Sequence, residues 1–251
     1  MSVRCLVKTV GRSFSGVSGA SLFKPDALGS RQVTVIRVDF FIPGVETVGG
    51  FSICSSPGLL RRERAIELAV KYTRHPPAQW IHTECSVGSE VALRVGGQFF
   101  FDPQPSDPAR DLLLVAGGVG INPLYSILLH TADLLGQTHT GGYTPGHTHL
   151  CYSAKNTTEL LFKDTILDLC LEHPDKLSCN FHVTQQSSEI EKRFQPHVAR
   201  GRIAEEELRH CVHPERTLCY LCGPPPMIET VSSDLQRIGL SEDRILFEKW
   251  W

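Results

Sequence analysis

Leu112-Leu-Leu-Val-Ala-Gly-Gly-Val-Gly-Ile-Asn-Pro123 joins an unbroken apolar run to a glycine-rich turn, and a stretch of helical periodicity then continues to Gly136. The apolar run, Leu112–Ala116, is what a strand covered on both faces requires. Gly117, Gly118, Val119 and Gly120 follow it. Glycines there let the backbone turn tightly and approach a pyrophosphate, and the next helix offers its N–H groups and positive dipole end. Ile121 opens the periodic stretch, Pro123 suits a first helical turn, and Asn122 either caps the helix or donates to a phosphate. A glycine-rich turn alone says little, because tight turns need glycine anyway. A strand before it and a helix after it make it informative.

Toward the C-terminus the same alternation continues. Strands are expected at Leu150–Tyr152, Leu177–Val183, Leu218–Cys222 and Arg244–Phe247, with helices at Thr158–Leu171, Ala204–Cys211 and Pro225–Ile238. Such alternation predicts a doubly wound parallel sheet with ligands at the carboxyl ends of its strands. Two more segments fall at those ends. Cys222-Gly-Pro-Pro-Pro-Met227 pairs a flexible Gly223 with prolines from Pro224 onward, a stiff shelf suited to a planar ring or simply a rigid turn. Ile245-Leu-Phe-Glu-Lys-Trp-Trp251 carries two tryptophans that either close the core or cover an aromatic cofactor.

Toward the N-terminus the pattern is different. Short β-rich runs at Val33–Ile42, Phe51–Cys54, Ile66–Val70 and Val91–Val95, separated by Gly, Pro and charged turns, predict an antiparallel sheet or small barrel. Pro-rich Phe101–Pro108 is the expected connector. The first 25 residues hold Arg4, Lys8, Arg12 and Lys24 but no Asp or Glu, and are rich in Ser. That is the composition of a mitochondrial transit peptide, and also of a merely disordered basic tail in a cytoplasmic protein.

Across 251 residues, 25 basic and 27 acidic side chains leave a net charge of -2, which argues against a nucleic-acid partner. No apolar run reaches the roughly 20 residues of a membrane span. Nine cysteines, an odd number scattered through apolar segments, read as free thiols in a reducing compartment. Cys219-Tyr-Leu-Cys222 reads as a buried strand end. His139, His147 and His149 read as part of a solvated Gly/Thr-rich loop with no carboxylate or cysteine at ligand spacing, so no metal site is assigned.

Taken together, these residues resemble the ferredoxin–NADP reductase-like flavoprotein family over the chain from about Val38 to the end. Gly118–Pro123 looks like its pyrophosphate loop, Cys222–Met227 like its nicotinamide motif, and Phe247–Trp250 like its terminal acidic–aromatic segment. Gly50–Pro57 looks like its flavin-holding strand and turn. The resemblance implies an α/β plus all-β chain. An N-terminal antiparallel flavin-binding barrel (31–108), following a targeting segment or tail (1–30), precedes a doubly wound nicotinamide-binding domain (109–251). It implies NAD or NADP, with NAD favoured, together with FAD. Cys222, Ser52 and Glu248 are then expected beside the reacting atoms, Phe51 stacked on a ring, and Trp250 over the flavin. The electron acceptor is unidentified and would be a separate redox protein. Departures are equally specific. The family's Arg-x-Tyr-Ser stands here as Gly49-Gly-Phe-Ser52, and its Gly-x-x-Ser as His75-Pro-Pro-Ala78, with Lys71, Arg74 and His75 as nearby substitutes. So few residues precede Gly49 that the barrel is expected to be incomplete at its N-terminal side, through truncation or a variant splice. The competing expectation is a dinucleotide-binding protein without flavin or catalysis, and a third is a purely structural interaction module.

Overall fold

The computed structural model describes residues 2–10, 17–23, 37–137 and 141–249. The chain divides into two units: Met1–Asp102 with Tyr125–His130, and Pro103–Leu124 with Thr131–Trp251.

In the second unit, every residue of β7 (Asp111–Gly117) is buried, as its unbroken apolar run requires. Its sheet is parallel throughout, in the order β10 (Val198–Arg200), β9 (Leu177–Val183), β8 (Thr148–Ala154), β7, β11 (Thr217–Gly223), β12 (Ile245–Lys249). The chain winds outward from β7 to β10 and then returns to the other side of β7. The winding therefore reverses between β7 and β11, and ligands of such sheets bind at that crevice. Its helices are α4 (Lys163–Glu172), α5 (Glu205–Cys211), α6 (Pro225–Arg237) and α3 (Ile121–Gln137), of which Tyr125–His130 group with the first unit. The buried Ile228, Val231 and Leu235 of α6 share one face and pack with Leu113, Val115, Cys219 and Leu221. The helix expected from Thr158 starts later, at Lys163. Asn156 instead caps a short turn over Thr157–Glu159, and Phe162 takes a left-handed φ of 60° just before α4.

In the first unit the strands run β4 (Gly49–Ser52), β3 (Arg37–Phe41), β6 (Ser89–Gly96), β2 (Val17–Phe23), β1 (Ser2–Val10), β5 (Ala65–Lys71). Beyond its named strands the ring closes: Ile53 bridges Leu68 antiparallel, and Cys54 N–H donates to the Glu67 carbonyl at 2.8 Å. Residues expected to be a targeting segment or tail form β1 and β2, which fill the gap between β5 and β6. Pairing is antiparallel for β1–β2, β3–β4 and β3–β6 and parallel for β1–β5 and β2–β6. Val38 and Phe40 alternate inward from β3 to meet Ile53, Leu68 and Ile81. Two short helices not expected from the sequence, α1 (Pro57–Glu63) and α2 (Pro76–Thr83), each begin with proline in the first turn, where no N–H donor is needed.

Candidate dinucleotide site

The two loops at the winding reversal interlock through their backbones. β7 and β11 lie side by side with Ala116 opposite Cys222. A Cβ on Gly120 would overlap the Cys222 carbonyl and lie 2.8 Å from Gly223 N. One on Gly223 would lie 2.7 Å from Met227 Cε and 3.1 Å from Gly117 Cα, and one on Gly117 would meet Met227 Sδ at 2.7 Å. Only glycine permits this approach, and the requirement binds the first loop to the second. Gly118 is different: it has open space around it but a φ of +56°, so its glycine serves the turn itself. The 3₁₀ turn Gly118–Gly120 leads straight into α3, whose first residue is Ile121. Gly118 is exposed and Val119 half-buried. The exposed side of the loop thus sits beside the helix N-terminus, where backbone donors and the helix dipole favour an anion.

Several expectations are refined. Asn122 is no cap; it lies buried inside the first turn of α3, followed by Pro123. Of the three prolines, Pro225 and Pro226 form the start of α6, and Pro224, extended and exposed, precedes them. Helix initiation thus accounts for two of them. Met227, which the sequence reading treated only as the end of its motif, is the side chain that locks the two glycine turns together. Cys222 is fully buried, and the Ala116–Cys222 pairing extends across the next strand to Glu248. Glu248 is half-buried. Gly117, Gly118, Val119, Gly120, Cys222, Gly223, Pro224 and Glu248 therefore converge at one end of one sheet. Trp250, Trp251 and His139 lie outside the described residues.

Ser52 and Phe51 belong to the barrel. Ser52 Oγ is buried and has no hydrogen-bond partner among the described residues. An orphaned hydroxyl there costs free energy unless a ligand satisfies it, and a flavin ring atom fits that role. Phe51 is half-buried, its ring edge-on to Phe40 at 5.3 Å and packed against Gly49. The missing family arginine has a structural reason. A Cβ on Gly49 would lie 2.5 Å from Pro77 Cβ and 2.7 Å from Phe51, so Pro77 fills the space that a longer side chain would need. Pro76 and Pro77 also remove two N–H groups from the start of α2. One cation that the sequence reading missed stands close by: the Arg37 guanidinium lies 3.0 Å from a Cβ built on Gly50. Arg37 lies opposite Ser52, a neighbour visible only once β3 and β4 are paired. Ser52 and Phe51 fit the ring end of a flavin, and Arg37, ion-paired with Asp39 at 3.4 Å, stands on the neighbouring strand.

His147 and His149 do not share a solvated loop. His149 sits on β8, half-buried, two residues from Cys151, and Glu207 comes from α5. Cys54, Cys85, Cys151, Cys170, Cys179, Cys211, Cys219 and Cys222 are free thiols, and Cys219 and Cys222 are buried on β11.

The oxidoreductase NAD-binding domain family model matches residues 114–233. Oxidoreductase NAD-binding domain-containing protein 1 of Danio rerio is 80% identical over 214 residues, which is 85% of this chain and 79% of the relative. Its counterpart in Xenopus laevis is 62% identical over 216 residues, 85% of this chain and 68% of the relative. Among solved structures, a ferredoxin NADP+ reductase from Neisseria gonorrhoeae with bound FAD and NADP matches with a TM-score of 0.66 and 18% identity. The match covers 94% of this chain and 92% of that one. The fold is ferredoxin–NADP reductase-like.

Proposed function

Because the chain belongs to the oxidoreductase NAD-binding domain-containing protein 1 family, we propose that it is an NAD(P)H-dependent flavin oxidoreductase delivering electrons to a separate acceptor. The interlock of the Gly117–Gly120 turn with Cys222 and Gly223 carries this reading. It presents backbone donors at the switch point of a parallel sheet, where a dinucleotide pyrophosphate binds. Cys222 and Pro224 orient the nicotinamide, and Glu248, in register with Cys222, manages charge or a proton there. Ser52 donates its otherwise unpartnered hydroxyl to the flavin, and Arg37 supplies a cation for the flavin pyrophosphate. When bound, the flavin accepts hydride from the nicotinamide and releases electrons onward. NAD is the favoured dinucleotide. Trp250 is assigned to the flavin face, and the basic first 25 residues to a mitochondrial address, tested by imaging a C-terminally tagged chain. Among the described residues no helix is long and apolar enough to cross a membrane.

A second reading, dinucleotide binding without flavin or catalysis, is favoured by Pro77 filling the arginine's place beside Gly49. One experiment separates the two. The purified chain is expected to show a flavin spectrum that NADH bleaches anaerobically, faster than NADPH does. A colourless protein that binds NADH and takes up no added FAD overturns the first reading in favour of the second. Binding of neither leaves a structural interaction module.

A further inference from the structure

Two residues of β8 and two of α5 place a second set of chemically active groups on the sheet of the second unit, in a cluster the dinucleotide site does not use. His149 and Cys151, two apart on a strand, share a face, and Glu207 and Cys211, four apart on a helix, share a side. One ligand atom each from His149, Cys151 and Glu207 lies within 4.8 Å of the others. Cys151 Sγ is 3.7 Å from Glu207 Oε1. The Cys211 thiol, one helical turn beyond Glu207, is a neighbour of Cys151 and His149.

The surroundings are those of a ligand set. His149 Nδ1 lies 2.7 Å from Ser178 Oγ, and Nε2 is buried with no geometric hydrogen bond among the described residues. With Nδ1–H donating to Ser178, Nε2 presents a lone pair, the usual arrangement of a metal-bound imidazole. The Glu207 carboxylate accepts from Asn180 Nδ2 at 2.8 Å and is 2.9 Å from His182 Nε2, so its orientation is fixed as well. Atoms bound tetrahedrally at 2.0–2.3 Å are spaced about 3.3–3.8 Å apart, so His149, Cys151 and Glu207, within 4.8 Å of one another, close on a cation with movements of about 1 Å, and Cys211 has further to move.

We propose that His149, Cys151, Glu207 and Cys211 bind one borderline divalent cation, zinc foremost, clamping α5 to β8. Two thiolates, an imidazole and a carboxylate in a tetrahedral set suit Zn²⁺ and disfavour Mg²⁺ or Ca²⁺, which take oxygen ligands. The test uses the full chain, purified under reductant, stripped with chelator and titrated with Co²⁺. One equivalent is expected to produce thiolate-to-cobalt charge-transfer absorption that Zn²⁺ abolishes, and Zn²⁺ is expected to raise the melting temperature. Cys211→Ser and His149→Gln should weaken Co²⁺ binding by more than about tenfold, and Ser178→Ala by about tenfold. Cys85→Ser, on the barrel, should change nothing. The proposal is overturned by absence of the charge-transfer band in protein with free thiols, or by folded variants that bind like the parent. A Cys151–Cys211 disulfide with no cobalt uptake after reduction overturns it too. Should a variant fail to fold, the wild-type cobalt spectrum decides alone.

Discussion

A methyl group on Gly120 would meet the Cys222 carbonyl, a backbone atom that cannot swing away as a side-chain tip can. Gly120→Ala is therefore expected to destabilise the second unit by about 1–3 kcal/mol and to lose NADH binding, because the turn must back away from β11. Gly118→Ala meets no atom and costs only the left-handed backbone, about 1–2 kcal/mol. Urea titration with NADH binding on both variants checks the difference; equal losses would show that conformation and not close approach sets the requirement. Ser52 gives the opposite sign. Its buried hydroxyl lacks a partner among the described residues, so Ser52→Ala is expected to leave barrel stability unchanged or raise it by up to about 1 kcal/mol. Flavin affinity or its reduction rate should nonetheless fall by about tenfold, one lost hydrogen bond of about 1.4 kcal/mol. A variant that loses stability while flavin properties persist would refute the assigned role. These glycines could be singled out in the sequence because a strand and a helix flank them. Why Gly49 replaces an arginine could not be read there, since Pro77 lies 28 positions away and meets it only through the fold.

The elements that were legible in sequence are those whose pattern is local. β7 shows as five consecutive apolar residues, and α3 and α6 as apolar stripes that end in Gly136 and begin at Pro225. β10, three residues long, is too short to leave a pattern. Composition pointed away from β1 and β2 because Ser and basic residues also suit a leader. The later start of α4 has its cause in Tyr152 of β8. The Tyr152 hydroxyl donates to the Glu159 carbonyl at 3.3 Å and accepts from Leu161 N–H at 3.1 Å, pinning the chain where the helix would have begun. Tyr152→Phe leaves the buried Leu161 N–H unpaired and should cost about 1–3 kcal/mol at neutral pH. Burial first of all raises the Tyr152 pKa, with Leu161 opposing it and Glu159 adding to it. A group whose folded pKa is raised stabilises fully below its unfolded value, about 10, and loses that contribution as pH rises through the folded value. The variant should therefore lose less stability than the parent between neutral pH and pH above about 10. Parallel urea midpoints across that range check it, and identical alkaline slopes would exclude Tyr152 as a source.

For the whole chain, the first 30 residues bear two roles that compete. A leader removed on import would take β1 and β2 with it, whereas a closed barrel needs both. β1 pairs with β5 from Arg4–Ala65 to Val10–Lys71, and β2 pairs with β1 over a similar length and with β6 at Ala20–Ser89 to Leu22–Val91. Without them β5 and β6 each become an open edge, with unpaired N–H and C=O groups that favour aggregation. The second unit keeps its own parallel sheet and its own apolar core, around Leu113, Cys219 and Leu235, to which these strands contribute nothing. A chain beginning at residue 31 is therefore expected to retain NADH affinity within about twofold, since changes at sites that share no partners are nearly additive. It should also melt its barrel at a lower temperature, aggregate more readily and lose flavin. Calorimetry that resolves two transitions, together with NADH titration, reads both outcomes. An unchanged barrel transition with flavin retained would assign residues 1–30 to targeting alone. Loss of NADH binding as well would show that the two units do not fold independently.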